Sequence, residues 1–314
     1  MSILAELPDN ARVLIVRLRS LGDCVLTTPA IQILSDSRPD LRIGIVVEAR
    51  FLDVFTGNPA IGAILNPTLS EVRRFHPNLV INLHGGTRSL MLTAFSGASF
   101  RAGFSHLADY RIHNLRIPSA QEILGVTRAV HTAEHLASAA FWLGADLQPV
   151  PRARLFAYPA SRSRPYAVLH PFASSPEKTW DPSRFLAVAR QLQASHLLDP
   201  IFIGGASDDL STFNAFEIVA NQPLADLKSL IGGATLFIGN DSGPAHIAAA
   251  FGIPVIALFG PSNASIWSPW RTEHTVLQAN PMSGIGVEAV LEAASRLLVR
   301  QSSLAANATP QAAQ

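Results

Sequence analysis

The chain has 314 residues, 48% hydrophobic and only 15% charged, with a formal net charge of +1. Such a chain can bury a sizeable core, which excludes global disorder, and its balanced charge offers no overall field for nucleic acid. The length suits two domains of ordinary size rather than one small core.

Cys24 is the single cysteine, so no internal disulfide framework exists and a reducing, cytoplasmic compartment fits. The opening "MSILAELPDN" lacks a basic region and carries Glu6 and Asp9, unlike a secretory signal. No apolar run reaches membrane-spanning length; "IAAAFGIPVIALFG" is broken by Gly252 and Pro254. Lys178 and Lys228 are the only lysines, and most arginines precede Pro159. A GC-rich genome explains that bias more readily than a phosphate-binding surface does, but it makes Lys178 conspicuous.

In chain order, "RVLIVRL" (Arg12–Leu18) is a short β-branched run and reads as a buried strand. The turn within "RLRSLGD" follows. Gly22 permits a tight turn, and Asp23 falls at the start of the helix predicted from "CVLTTPAIQILSDS". A carboxylate there can serve as a general base toward a substrate hydroxyl. It can equally be a plain N-cap, and a helix start favours the ionised, less basic form. "RIGIVVE" (Arg42–Glu48) and "LVINLH" (Leu79–His84) read as further strands, and His131–Leu143 as a helix.

That helix opens with "HTAEH" (His131–His135), which matches the H-x-x-E-H zinc-protease pattern. Two histidines four apart share a helix face as metal ligands do. No third ligand stands nearby, so capping or packing is the better reading and no metal is expected.

"QPVPRARLFAYPASRSRPY" reads as a linker, with one domain over residues 1–157 and a second over 158–300. Residues 301–314, low in complexity, read as a disordered tail. The strand pattern then restarts with "YAVLHP". In the loop "HPFASSPEKTW" (His170–Trp180), Ser174 and Ser175 offer donors to a phosphate and Lys178 a point charge. A helix is predicted from about Pro182 to Ala194. "PIFIGG" is a strand, and "GGASDD" (Gly204–Asp209) ends it. An acid just past such a turn commonly holds ribose hydroxyls, so Asp208 is a candidate, with capping as the alternative.

The strand "TLFIGN", the turn Asp241-Ser242-Gly243-Pro244 and a helix follow, then the strand "PVIALFG" and a last helix from Val287 to Val299. Gly243 lets a backbone approach a ligand closely, and Pro244 suits a first helical turn. Free N–H groups at that helix start favour an anion such as a pyrophosphate. One cap would explain Asp241 or Ser242, but not His246 as well. Strands alternating with helices imply an α/β chain with two Rossmann-like domains on parallel sheets, expected to face one another across a ligand cleft.

Together, "RLRSLGDCVLTTPAIQIL", "LVINLHGGTRS", "LHPFASSPEKTW", "GGASDD" and "GNDSGPAHIAAAFGIPVIALFGPS" resemble glycosyltransferase family 9, the bacterial lipopolysaccharide heptosyltransferases. The resemblance runs from about Arg12 to Val299. It implies a GT-B fold and inverting transfer of a heptose from a nucleotide donor, typically ADP-heptose, to a glycolipid or glycan acceptor, without a required metal or other cofactor. By the same resemblance Asp23 is the general base, Ser174 and Lys178 hold donor phosphate, and Asp208 stands near the ribose. Asp241, Ser242, Gly243 and His246 form the donor turn, while Arg19, His84, Gly85 and Arg88 fall on the acceptor side. Phe172 departs from the family, standing where a small residue is usual, and narrows the donor loop. A sugar-nucleotide epimerase of the same fold and a non-catalytic binding relic are the rival readings. Membrane contact, if any, is expected to be peripheral, through the arginines of the first domain.

Overall fold

Two six-stranded parallel sheets organise the chain, one in each half. The computed structural model describes residues 2–106, 111–195 and 197–308, with residues 301–308 in backbone only. The chain divides into two compact units, Met1–Ala157 and Tyr158–Gln314.

The first unit runs α1 (Ile3–Glu6), β1 (Arg12–Val16), α2 (Leu21–Ser37), β2 (Arg42–Val46), β3 (Ala63–Leu65) and α3 (Leu69–Phe75). It continues with β4 (Leu79–Asn82), α4 (Thr87–Ala94), β5 (Phe100–Phe104), β6 (Leu115–Ile117), α5 (Ala120–Leu124) and α6 (Thr132–Leu143). Its sheet order is β3-β2-β1-β4-β5-β6. Strand β1 is central, in register with Arg42–Val46 on one side and Leu79–Asn82 on the other. Its residues Val13 to Val16 are fully buried, as a strand covered on both faces requires.

The second unit runs β7 (Tyr166–His170), α7 (Pro182–Ala194), β8 (Asp199–Gly204), β9 (Glu217–Ala220), α8 (Leu224–Gly232) and β10 (Leu236–Asn240). Then come α9 (Gly243–Phe251), β11 (Val255–Phe259), α10 (Ala264–Trp267), β12 (His274–Gln278) and α11 (Val287–Ala308). Read from β9, its order is β9-β8-β7-β10-β11-β12, the same winding as the first unit. In both, the chain reverses direction across the sheet between the first and fourth strands, which is where open α/β sheets bind ligands. The core of this unit holds Trp180, Phe185, Phe202 and Phe213 without exposure, with Phe202 stacked on Phe213 at 4.1 Å. Indole Nε1 of Trp180 donates to the carbonyl of Ile285 at 3.0 Å, so its polar edge is satisfied inside.

The segment that reads as a linker is irregular but not loose. Val150, Ala153 and Leu155 are buried in the first unit, where the Arg154 amide donates to Thr28 Oγ1 at 3.0 Å. Ala160 N donates to Ser229 O at 2.8 Å in the second. Between these anchors Tyr158 is 94% exposed.

Helix α11 continues past the expected end at Val299 to Ala308, through Leu304, Ala305 and Ala306, all good helix formers. Residues 309–314 of the expected tail lie outside the described residues. No helix among the described residues is long and apolar enough to cross a membrane.

Candidate active site

In the first unit the site begins where β1 ends. Arg17 is buried, then Arg19 turns outward, and Ser20 occupies the N-cap position of α2. The Arg19–Ser20 peptide bond is cis. Because Ser20 holds the cap position, Asp23 lies in the first turn of α2 rather than at the cap. Its Oδ2 accepts from Ser20 Oγ at 3.1 Å and lies 3.9 Å from Arg17 Nη1. Burial pushes the Arg17 pKa down, and the Asp23 carboxylate pulls it back up. A carboxylate so held keeps a fixed direction and remains partly exposed, as a base acting on an incoming hydroxyl must.

The loop after β4 supplies the second part. Asn82 Oδ1 accepts from the amides of His84 and Gly85, at 3.1 and 3.2 Å. Gly85 and Gly86 take φ of 72° and 86°, which only glycine adopts freely, and turn the chain into α4. Arg19, His84, Gly85 and Arg88 line one pocket of about 210 Å³ together with Leu18, Glu48, Gly86 and Thr87. All four residues expected on the acceptor side are thus brought together. Burial, then the charges of Arg17 and Arg19, lower the His84 pKa, so its ring is neutral near pH 7. Its Nδ1 is buried without a hydrogen-bond partner. Glu48, pairing with Arg50 at 2.9 Å, adds a carboxylate that sequence reasoning missed.

The zinc-protease pattern finds a structural use. His131 is the N-cap of α6, its Nδ1 accepting from Ala133 N at 3.1 Å, and Glu134 closes a capping box. Glu134 also pairs with Arg128 at 2.7 Å. His135 stacks on Phe104 at 4.0 Å, and burial lowers its pKa to about 4, helped by His106 and Arg17. No cluster of metal-ligating side chains occurs among the described residues.

In the second unit two loops are stitched together. Buried Asn240 at the end of β10 accepts from Trp180 N at 3.1 Å and donates to Pro171 O at 2.9 Å. Lys178 Nζ lies 3.5 Å from Asp241 Oδ2. His170 Nδ1 is 2.9 Å from Ser242 Oγ, and burial holds the ring neutral with a pKa of about 4. Gly260 lets the loop after β11 approach closely: a Cβ there would meet the Glu177 carbonyl at 2.5 Å. Ser174 is exposed, while Ser175 hydrogen-bonds the Glu177 side chain.

Ser242 is the N-cap residue of α9, yet its side chain makes no capping bond. The capping explanation for Asp241 and Ser242 therefore fails, since each side chain is engaged with the neighbouring loop. At the α9 start Pro244 has no N–H and Ala245 N donates to the Ser242 carbonyl at 3.2 Å, so any anion there would meet the amides of Ser242 and Gly243. Gly243 is partly exposed at this start, and His246 is buried one turn further in.

Beside it lies a pocket of about 150 Å³, lined by His170, Ile203, Gly204, Gly205, Val219, Asn221, Gln222, Leu227 and Pro244. Asp208 is not part of that lining. Its Oδ2 accepts from Gly205 N at 2.8 Å and shapes the turn that borders the pocket. Phe172 stands close to Gly204 at the border of this pocket, where a Cβ on Gly204 would meet its ring at 3.1 Å. Asn221 and Gln222 were missed because the strand before them, β9, has no clear apolar alternation.

A family profile described as "Glycosyltransferase family 9 (heptosyltransferase)" matches residues 70–285. Lipopolysaccharide heptosyltransferase 3 of Escherichia coli is 27% identical over 291 residues, covering 79% of this chain and 83% of that protein. A glycosyl transferase family 9 structure from Veillonella parvula superposes with a TM-score of 0.81 at 21% identity, covering 93% of this chain and 98% of that one. The E. coli ADP-heptose lipopolysaccharide heptosyltransferase II structure gives 0.78 at 19% identity, with 93% and 99% coverage.

Proposed function

The chain belongs to glycosyltransferase family 9 and has the GT-B fold of two Rossmann-like domains, and from that premise we propose that this glycosyltransferase moves a heptose from ADP-heptose to a glycolipid or glycan acceptor with inversion. The observation that carries the reading is the joined pair of loops in the second unit. Lys178 and Asp241 meet beside an uncapped helix start, next to a pocket with apolar walls and two amides. That combination suits a nucleoside diphosphate. Ile203, Val219, Leu227 and Pro244 offer apolar surface to the base, while Asn221 and Gln222 supply hydrogen bonds. Lys178, Ser174, Ser175 and the N–H groups of Ser242 and Gly243 serve the phosphates. Asp208 acts on the ribose side through the Gly205 turn, and His246 supports the turn from within α9.

The chemistry then balances. Asp23 takes the proton of an acceptor hydroxyl. That oxygen bonds to the anomeric carbon as the bond to the diphosphate oxygen breaks, and ADP leaves with the electron pair. Donors fixed in advance stabilise the growing negative charge without reorganising. Arg19, His84, Gly85 and Arg88 hold the acceptor. Two guanidinia beside a neutral imidazole and Glu48 suit a sugar that carries acidic groups as well as hydroxyls.

Calorimetry in EDTA tests the donor. ADP-heptose is expected to bind more tightly than UDP or GDP sugars. Lys178→Ala is expected to weaken it about ten- to hundredfold, the loss of one or two charge-assisted bonds. Equal binding of all three nucleotides would discard the base assignment. Release of ADP only in the presence of acceptor separates transfer from epimerisation.

A further inference from the structure

Lys178 sits at the end of a single tight turn, Pro176–Lys178, whose own hydrogen bonds are local. Lys178 N donates to Ser175 O at 3.1 Å, Thr179 N to Pro176 O at 3.0 Å, and Thr179 Oγ1 to Ser175 O at 2.9 Å. Bonds that span three or four residues fix the shape of a turn, not its place over the sheet. Asn240 ties down the two ends of the loop, at Pro171 O and Trp180 N. The middle rests on Gly260, where a Cβ would meet the Glu177 carbonyl at 2.5 Å and Met282 Sδ at 3.1 Å. Gly260 opens the loop after β11. The backbone pairing of β11 with β12 ends beside it, with Phe259 opposite Gln278 and Ala279 N donating to Phe259 O at 3.0 Å. Beyond that point a side chain continues the bracing. Gln278 Nε2 donates to Gly260 O at 3.2 Å and to Ser262 O at 2.8 Å, so both N–H groups of one amide serve one loop. Ser262 Oγ is buried in that loop without a hydrogen-bond partner, so the serine side chain does not brace it. Gln278 is exposed and lies outside the lining of the 150 Å³ pocket. Ordering such a rotamer-rich surface side chain costs entropy, and these two bonds are what offsets it.

We infer that Gln278 is a positioning residue for the donor diphosphate: through the Gly260 loop it fixes the turn that carries Lys178, rather than binding the nucleotide itself. The path is contiguous. Gln278 holds the carbonyls of Gly260 and Ser262, Gly260 supports Glu177, and the next residue is Lys178, whose Nζ lies 3.5 Å from Asp241 Oδ2. A displaced ammonium loses a charge-assisted bond to phosphate even though it stays in the site. The inference rests on the assignment of Lys178 to the donor phosphates above, but one arm of its test does not.

Calorimetry with ADP-heptose on the full chain is the first arm. Gln278→Leu, close in size but without donors, is expected to bind about five- to tenfold more weakly. Gln278→Lys restores N–H donors and should come within about threefold of wild type. In a Lys178→Ala background, Gln278→Leu should cost less than about twofold, because the place of a missing ammonium no longer matters. A residue that only stabilises the fold would act by the same factor in both backgrounds. Hydrogen exchange read by mass spectrometry is the arm that needs no donor. In Gln278→Leu the amides of Lys178 and Thr179 should exchange at least about tenfold faster, while β7 and β10 keep wild-type protection. Unchanged exchange at those amides, or equal losses in the two backgrounds, would overturn the inference. Wild-type protein that binds no ADP-heptose would instead overturn the transferase reading, and the exchange result alone would then decide the role of Gln278.

Discussion

Asp23 and His170 show how burial and partners divide the work among ionisable groups. Asp23 is oriented by Ser20 and Arg17 and keeps an open side. Asp23→Asn is expected to leave ADP-heptose affinity unchanged and to lower kcat by about a hundred- to ten-thousandfold, the range of a lost general base. Near-normal turnover would move the base elsewhere. His170, by contrast, is buried and held neutral, with a pKa of about 4 against an ordinary 6.5. Between those values the unfolded chain binds a proton that the folded chain refuses. Stability is therefore complete above pH 6.5 and falls as pH drops toward 4, by on the order of 3 kcal/mol for this group. His135, also lowered to about 4, adds in the same direction. Thermal melting should show a Tm that declines from pH 7 to pH 4.5, and His170→Gln should flatten part of that decline. Equal slopes in the two proteins would show that His170 is protonated in the fold.

Elements were legible in the sequence according to how deeply their strands lie in the sheet. Central β1, β4, β7 and β10, with β2, β8 and β11 beside them, are buried on both faces and read as unbroken apolar runs. The edge strands β3, β6, β9 and β12 and the neighbouring β5 were not read, because part-exposed stretches such as "LRI", "EIVA" and "HTVLQ" have neither a clean run nor a strict alternation. The site divides the same way. Asp23, Lys178, Asp241 and Ser242 follow central strands, where polar residues interrupt apolar sequence. Asn221 and Gln222 follow edge strand β9, and only the pairing of β9 with β8 brings them to the pocket. Asp208 was visible, but its inward bond to Gly205 depends on the turn it closes. At this scale Gly260 is the sensitive position. Gly260→Ala drives a methyl against the Glu177 carbonyl, and overpacking of this kind costs about 1–3 kcal/mol. The loop bearing Lys178 is expected to shift, weakening donor binding while circular dichroism stays native. Wild-type donor affinity in this variant would show that the loop position is not critical.

For the whole molecule, the strap from residue 151 to 165 is fastened to the first unit at Arg154 and to the second at Ala160. Each unit has its own sheet and core, so a fragment that begins at Tyr158 is expected to fold alone and to bind ADP much as the full chain does. Urea unfolding of the full chain should then depart from a single two-state transition unless the units are strongly coupled. A fragment that stays unfolded would show that the second unit needs the first.

The repeated winding order has a consequence for inheritance. Two halves that each complete a sheet with the same strand sequence, joined at one exposed tyrosine, are separable cassettes. On the proposed assignment of the acceptor to the first half and the nucleotide to the second, mutation can reshape the one while the other stays under its own selection. Recombination at the junction could also exchange one cassette for another without breaking a sheet. Within such a lineage, diversity of acceptor and constancy of donor would arise from the architecture itself.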